Sequence, residues 1–424
     1  MVPPDPERIR SAVAGSRTRL SASASTVRYA LILLVISLAG CGVLPRNPVP
    51  PDKVADAVIP GMPDIRAWGG RPSPAMERDL ADSFAQESPA EFPIAADGLI
   101  HYAHLALSGG GANGAFGAGF LKGWTETGHR PVFKIVTGVS TGALMAPFAF
   151  LGPAHDDDLH QLYTQTRTRD IIQLRLHSLL PQLLAGDSLA DSGPLANLIA
   201  RHIDADLLQE VAAAHRGGRR LYIGTVDLDA QQFVVWNMGM IAVSGRPDAL
   251  DLFRSIMLAS ASIPIAFPPV FFEVEANGRR YDEMHVDGGV GARVFLTGGV
   301  FRVSEVRAGG GRDPARSDVF VIHNGQLGPI PAPTRRNVRN IATRVLEMTG
   351  KSGVIGDLFR IYTISLRGGA SFHWVTIPDG IETAGSEFFD PERMTQLYDV
   401  GYRKALAGPV WSTDPPGLRS IPSR

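Results

Sequence analysis

The 424-residue chain has a single cysteine, Cys41. One thiol permits neither an intramolecular disulfide nor a cysteine-based metal cluster. His101, His104, His155, His160 and His323 stand without metal-ligand spacing, and no His-Glu-x-x-His run occurs, so a hydrolytic zinc site is not expected. Long basic runs are also missing: 41 Lys and Arg face 42 Asp and Glu, for a formal net charge of -1. Such a balance offers no electrostatic footprint for nucleic acid. The acidic triplet Asp156-Asp157-Asp158 reads as a solvated loop or helix start. What remains, with 44% hydrophobic and 20% charged residues, is ordinary globular composition, enough for one large domain or two small ones.

The one cysteine is placed with meaning. Arg8, Arg10, Arg17, Arg19 and Arg28 precede an apolar run from Tyr29 to Ile36, which ends in Leu38-Ala39-Gly40-Cys41. A positive start, a short apolar stretch and small residues at the cut describe an export signal, and the run is too short to span a bilayer comfortably. Leu-Ala-Gly-Cys resembles a bacterial lipobox. That resemblance implies a signal peptide over 1–40, removed to leave a lipidated Cys41 at the mature N-terminus. Gly42 in place of Asp after the cysteine resembles outer-membrane sorting, so the expected location is the cell envelope. A plain secretory signal, or a buried helix with an incidental thiol, is the competing reading.

Beyond Cys41 the chain is rich in proline (Pro45, Pro48, Pro50, Pro51, Pro60, Pro63, Pro72, Pro74). Residues 41–98 are therefore expected to be a lipidated tether with a short helix near Ala75–Phe84. A compact domain is expected over 99–411, with a loose tail over 412–424. Within the domain, a buried strand at His104–Ser108, a glycine run, a helix over Ala115–Thr127, a second strand at Val132–Thr137 and a helix from Ala143 follow closely. Such short alternating units imply parallel strands with right-handed crossovers, an α/β class. Residues 157–215 read as mainly helical, with breaks near 185–187 and at Ser192-Gly193-Pro194. Strands are expected at Arg220–Thr225, Phe233–Asn237, Met284–Val286 and Val319–Ile322. Helices are expected at Asp248–Ser260, Asn337–Thr349 and Glu392–Leu406.

Three motifs sit at strand ends. Gly138-Val139-Ser140-Thr141-Gly142 is a G-x-S-x-G sequence between strand and helix, where flanking glycines allow a sharp turn that exposes the serine hydroxyl. Ser108-Gly109-Gly110-Gly111-Ala112-Asn113-Gly114 can turn several N–H groups into one concavity suited to an oxyanion. Gly109, Gly111 and Gly114 also satisfy G-x-G-x-x-G. A dinucleotide fold, however, wants an acid at the end of the next strand, and Gly138-Val139-Ser140 stands there. No Gly-Lys-Ser/Thr follows the loop, which excludes a phosphate-cradling P-loop. The third motif is Asp287-Gly288-Gly289, which alone would be read as a turn.

The order of these motifs, with Ala259-Ser260-Ala261-Ser262-Ile263-Pro264-Ile265-Ala266-Phe267-Pro268-Pro269 before the aspartate, resembles the patatin-like phospholipase family over about Ala103 to Gly289. The resemblance implies a three-layer α/β/α fold with a mainly parallel central sheet. It implies a Ser140/Asp287 dyad without histidine, an oxyanion hole from Gly109, Gly110, Gly111 and Ala112, an elbow at Gly138 and Gly142, and no cofactor or metal. The expected activity is ester hydrolysis of a membrane phospholipid or other acyl lipid, with attachment to the membrane through the anchor. A catalytically silent lipoprotein that binds lipids or partners on the same fold is the alternative. The family's loop commonly has arginine where this chain has Asn113, which hydrogen-bonds but brings no positive charge. His285, two residues before Asp287, would share its strand face, so a serine-histidine arrangement is the competing chemistry. For Phe267, Pro268, Pro269, Phe271 and Phe272, core packing and an acyl-chain pocket are the two readings.

Overall fold

A computed structural model describes residues 46–174, 188, 190–311, 315–383, 385–408 and 411–418. The signal and lipobox expected at 1–41, and the break near 185–187, lie outside the described residues. A nine-stranded sheet organises the chain. Its strands are β1 (Arg66–Trp68), β2 (Ile100–Leu107), β3 (Phe133–Val139), β4 (Arg220–Asp227), β5 (Gln232–Asn237), β6 (Val270–Ala276), β7 (Arg279–Asp287), β8 (Ala315–His323) and β9 (Ser371–Thr376). The order is β1-β5-β4-β3-β2-β8-β9, with β7 pairing both β4 and β6. From β4 through β9 the neighbours run parallel, whereas β1, β5, β6 and β7 join antiparallel. The parallel strands are buried on both faces, as β3 and β4 are along their whole length.

The helices that position the site are α1 (Pro74–Ala85), α2 (Gly114–Glu126), α3 (Thr141–Leu151), α4 (Asp156–Gln165), α5 (Gly193–His202), α6 (Ala205–Arg216), α7 (Ala249–Ser260), α8 (Val338–Arg367) and α9 (Pro391–Leu406). On one face Leu105, Leu107, Val136, Leu221 and Ile223 pack with Phe116, Phe120, Phe148, Phe253 and Leu397. On the other, Tyr102, Ile135, Val139 and Tyr222 pack with Met76, Leu80 and Phe84 of α1. Beside them Ala106, Val319 and Val321 meet Val354, Leu358 and Ile361 of α8. Alternation along the strands thus feeds two helical layers, the three-layer α/β/α architecture.

The tether reading of 41–98 holds for none of the described part. From Arg46 onward the segment belongs to the domain: Val49, Ala57, Ile59, Met62 and Ile65 are buried, and β1 closes an edge of the sheet against β5. Proline content signalled an extended chain, but apolar side chains between the prolines find a core. The helix expected at Ala75–Phe84 is α1, capped by the Ser73 hydroxyl. The start of the expected loose tail is docked as well, since Ser412 and Trp374 exchange two backbone hydrogen bonds. The helix expected at Asn337–Thr349 runs on to Arg367, with Gly350, Gly353 and Gly356 accommodated in a helix packed on the sheet.

Candidate active site

Ser140 follows directly on β3 and starts α3 with φ 55° and ψ -125°, a conformation costly for a residue with a side chain. The surroundings hold it there. Its N–H donates to Ser260 Oγ at 3.0 Å, and that hydroxyl donates to the Gly224 carbonyl at 2.7 Å. Ala143 and Leu144 return N–H bonds to the Ser140 carbonyl. A Cβ at Gly138 would run into the Gly142 carbonyl, and one at Gly142 into the carbonyls of Leu107 and Ser108. The elbow can close only because both flanking positions lack a side chain.

Asp287 reaches the serine through strand register. On β4, Gly224 pairs with Val139 at the end of β3, and the next residue, Thr225, pairs with Asp287 at the end of β7. The two strands therefore meet end to end along one edge of β4, which brings together residues 147 positions apart in the sequence. The Asp287 N–H donates to the Ser262 carbonyl at 2.9 Å, and Oδ1 accepts from the Gly289 N–H at 2.7 Å. The Ser140 hydroxyl lies close enough to the carboxylate to favour its ionised form. Burial pushes the Asp287 carboxyl up to about 6, although Ser140, the Gly289 N–H and the positive charge of Arg293 all pull the other way. Asp287 is thus a stronger base than an exposed aspartate while still ionised at neutral pH.

The glycine loop lies over this pair. Gly109, expected among the oxyanion donors, gives its N–H to the Arg293 carbonyl at 3.1 Å, which removes it from that set. The N–H groups of Gly110, Gly111 and Ala112 have no acceptor among the described residues. Gly110 (φ 158°) and Gly111 (φ 57°) use backbone conformations that suit glycine. Asn324 fixes the loop: its Nδ2 donates to the Ser108 carbonyl, its backbone N–H to Ser108 Oγ, and its Oδ1 accepts from the Gly117 N–H of α2. Ser108 Oγ also bonds His323 Nδ1 at 2.9 Å, while burial lowers that histidine to about 4.

An apolar pocket opens beside Ser140, with Leu144, Leu162, Ile171, Leu195, Leu198, Phe267, Phe389 and Met394 in its wall. Of the Phe/Pro cluster, Phe267 lines this pocket. Phe272 instead packs in the core against Trp236 and His285, and Phe271 is partly exposed under the guanidinium of Arg46. A larger cavity of about 420 Å³ lies between β8 and α8, where His104 and Ser365 line it. It contains neither Ser140 nor Asp287, so it is not the reaction centre.

His285 is turned to other work. Its Nδ1 bonds Thr225 Oγ1 at 2.9 Å and its Nε2 bonds Glu283 at 3.2 Å, and burial lowers its pKa. The Arg66 guanidinium takes both oxygens of Glu283. Asp227, Glu283 and His285 have ligand atoms within 4.8 Å of one another, but this arginine already compensates the Glu283 charge a metal would need. Sequence reasoning missed Asn324 and Arg293, and it had Ser260 only as part of a motif, without its role in holding the Ser140 N–H. Asn324 directly follows a strand at the carboxyl edge, a signal that was available. Arg293 acts through its backbone carbonyl and its charge and leaves no pattern.

Residues 105–297 match the family described as Patatin-like phospholipase. Among solved structures, VipD from Legionella pneumophila shares 13% identity at a TM-score of 0.31, covering 75% of this chain and 69% of that one. Human GIVD cytosolic phospholipase A2 shares 11% identity at a TM-score of 0.27, over 68% of this chain and 51% of that one. The type III effector protein ExoU shares 15% identity at a TM-score of 0.21, over 72% and 52%. The chain spans about half the length of the latter two. No curated protein matches it.

Proposed function

We propose that this patatin-like domain is a serine acyl hydrolase acting on an ester of a membrane lipid, of the phospholipase A or lysophospholipase kind. The observation that carries the reading is that strand register brings the buried Ser140 and Asp287 together, with Ser140 lining an apolar pocket. Asp287 accepts the hydroxyl proton as Ser140 Oγ attacks the ester carbonyl, and the carbonyl oxygen becomes an oxyanion. The Gly110, Gly111 and Ala112 N–H groups are the donors free to receive it. The proton passes to the leaving alcohol, leaving an acyl-Ser140 ester whose chain rests among Leu144, Leu162 and Phe267. Water, deprotonated by Asp287, then cleaves the acyl-enzyme and restores both residues.

The lipidated Cys41 and the envelope location belong to the same proposal. They are supported by the Leu-Ala-Gly-Cys sequence after a basic and apolar N-terminus. Replacement of Cys41 by serine is expected to abolish acyl-lipid labelling. A Cys41→Ser protein that matures and fractionates with membranes as the parent does would overturn the anchor. For the chemistry, the test is labelling of Ser140 by a fluorophosphonate together with turnover of p-nitrophenyl esters and phospholipids. A protein that binds lipid yet neither labels nor turns over any ester is a silent binder.

A further inference from the structure

We infer that the N-terminal half of α8 is a docking surface for an anionic phospholipid bilayer and that it turns the carboxyl edge of the sheet toward the membrane. α8 divides sharply. Val354, Leu358 and Ile361 in its second half are buried against the sheet. In its first half Val338 is 85% exposed, Ile341 47%, Val345 56% and Met348 67%. Their spacing of three, four and three residues puts them on one side of the helix. Water-exposed apolar stripes of this kind mark interaction surfaces.

The direction of the helix places the stripe. After Arg367 the chain enters β9, whose Ser371 pairs with Asp318 near the start of β8, so α8 runs against the parallel strands. At Asp357 the helix stands level with the site: this carboxylate accepts the Arg293 N–H at 2.7 Å, and the Arg293 carbonyl takes the Gly109 N–H. Gly350 and Gly353 still lie against the Arg293 side chain, so residues 338–349 are the part that extends past the active-site edge, by roughly 18 Å at 1.5 Å per residue. Two other features face the same way. Phe388, 55% exposed, forms part of the mouth of the Ser140 pocket. Arg46 is tied to Asp229, in the turn after the carboxyl end of β4, at 2.6 Å. Cys41 lies five residues before it, within roughly 18 Å even if fully extended.

Charge selects the occupant. Between Pro331 and Gly356 the sequence has Arg335, Arg336, Arg339, Arg344 and Lys351 against Glu347 alone, in a chain of net charge -1. An apolar stripe flanked by basic residues fits an anionic lipid surface. A second copy of the same helix would set like charges across the seam. About three exposed turns also offer much less than the roughly 800 Å² per partner of a stable dimer. Among the described residues no helix is long and apolar enough to cross a membrane, so this one lies on the surface.

The lipid choice rests on the proposed function, but the test reads binding and not turnover. Full-length Cys41→Ser protein, which lacks the anchor, is floated with vesicles of phosphatidylcholine with or without phosphatidylglycerol. The lipid concentration is set so that half of the protein is bound. Ile341→Asp/Val345→Asp is expected to weaken partitioning about tenfold or more. Arg335→Glu/Arg336→Glu is expected to weaken it on the phosphatidylglycerol vesicles only. Flotation of the double aspartate variant equal to its parent overturns the proposal. So does equal parental binding to both vesicle types, or a parental dimer by sedimentation that these aspartates dissociate without changing flotation. A protein that floats as expected but hydrolyses no ester defeats the Ser140 chemistry and leaves the docking surface standing.

Discussion

Glu283, His285 and Asp287 occupy alternate positions on one strand, all buried, and differ in what their surroundings ask of them. At Glu283 burial would raise the carboxyl, but hydrogen bonds from Arg66 and His285 overcome it and bring the group to about 2. At Asp287 burial prevails and the group rises to about 6, because its neighbours are a serine hydroxyl, one N–H and a more distant arginine. Burial by itself therefore does not mark a reactive carboxylate. What does is burial with incomplete compensation, where a proton can still be gained or lost near neutral pH. The first two side chains are fastened into the fold, whereas the third is left poised.

The largest expected difference is in turnover. Ser140→Ala and Asp287→Asn should each lower kcat/KM by about 10³-fold or more, with the double variant little worse than either, since the two act as one unit. His285→Ala should keep substantial activity. If His285→Ala is as inactive as Ser140→Ala while Asp287→Asn turns over normally, with all three folded, the strand has been read in the wrong order. Asn324→Ala comes next, because it releases the Ser108 carbonyl and the Gly117 N–H that hold the glycine loop. A loss of about 10- to 100-fold in kcat with little change in KM is expected, on the scale of one misplaced oxyanion donor. Unchanged kcat would remove Asn324 from the positioning of the loop.

Stability should separate these two positions, His285 and Asp287, by sign. His285→Ala leaves Glu283 and Thr225 short of partners and should cost about 1–3 kcal/mol in urea unfolding. For Asp287 the folded value of about 6 lies above the ordinary 3.8, so ionisation opposes folding. That cost is absent below about pH 4, grows to about pH 6 and is complete above it. Asp287→Asn should therefore raise the unfolding midpoint at about pH 7.5 and have little effect at pH 4. A variant that is less stable at both pH values would show that ionised Asp287 is fully compensated after all. The smallest effect concerns pH dependence: kcat/KM should rise as pH climbs through about 6 as Asp287 loses its proton. Arg293→Gln removes a charge that favours the carboxylate, so that rise should move to higher pH, and an inflection that stays put would exclude Arg293.

Much of the α/β order was legible because buried parallel strands and glycine turns leave local patterns. Ser140, Gly138, Gly142, Asp287 and the glycine loop were all legible as motifs. The proline-rich stretch before β2 was not, since local composition says nothing of whether Val49, Ile59 and Ile65 will find apolar partners far along the chain. Gly109 could not be told from Gly110 by sequence, because only the approach of the 293 carbonyl decides which N–H is already used. The same limit hid Asn324 and the hydrogen-bonded, structural role of His285.

Local chemistry thus determined which residues can turn sharply, donate or carry a proton, because φ/ψ preferences and side-chain groups are properties of the sequence itself. Tertiary structure decided which of those groups meet. The pairing of Val139 and Asp287 with adjacent residues of β4 makes one pair out of two distant motifs, and the side chains around each buried group set whether it is neutralised or left able to exchange a proton.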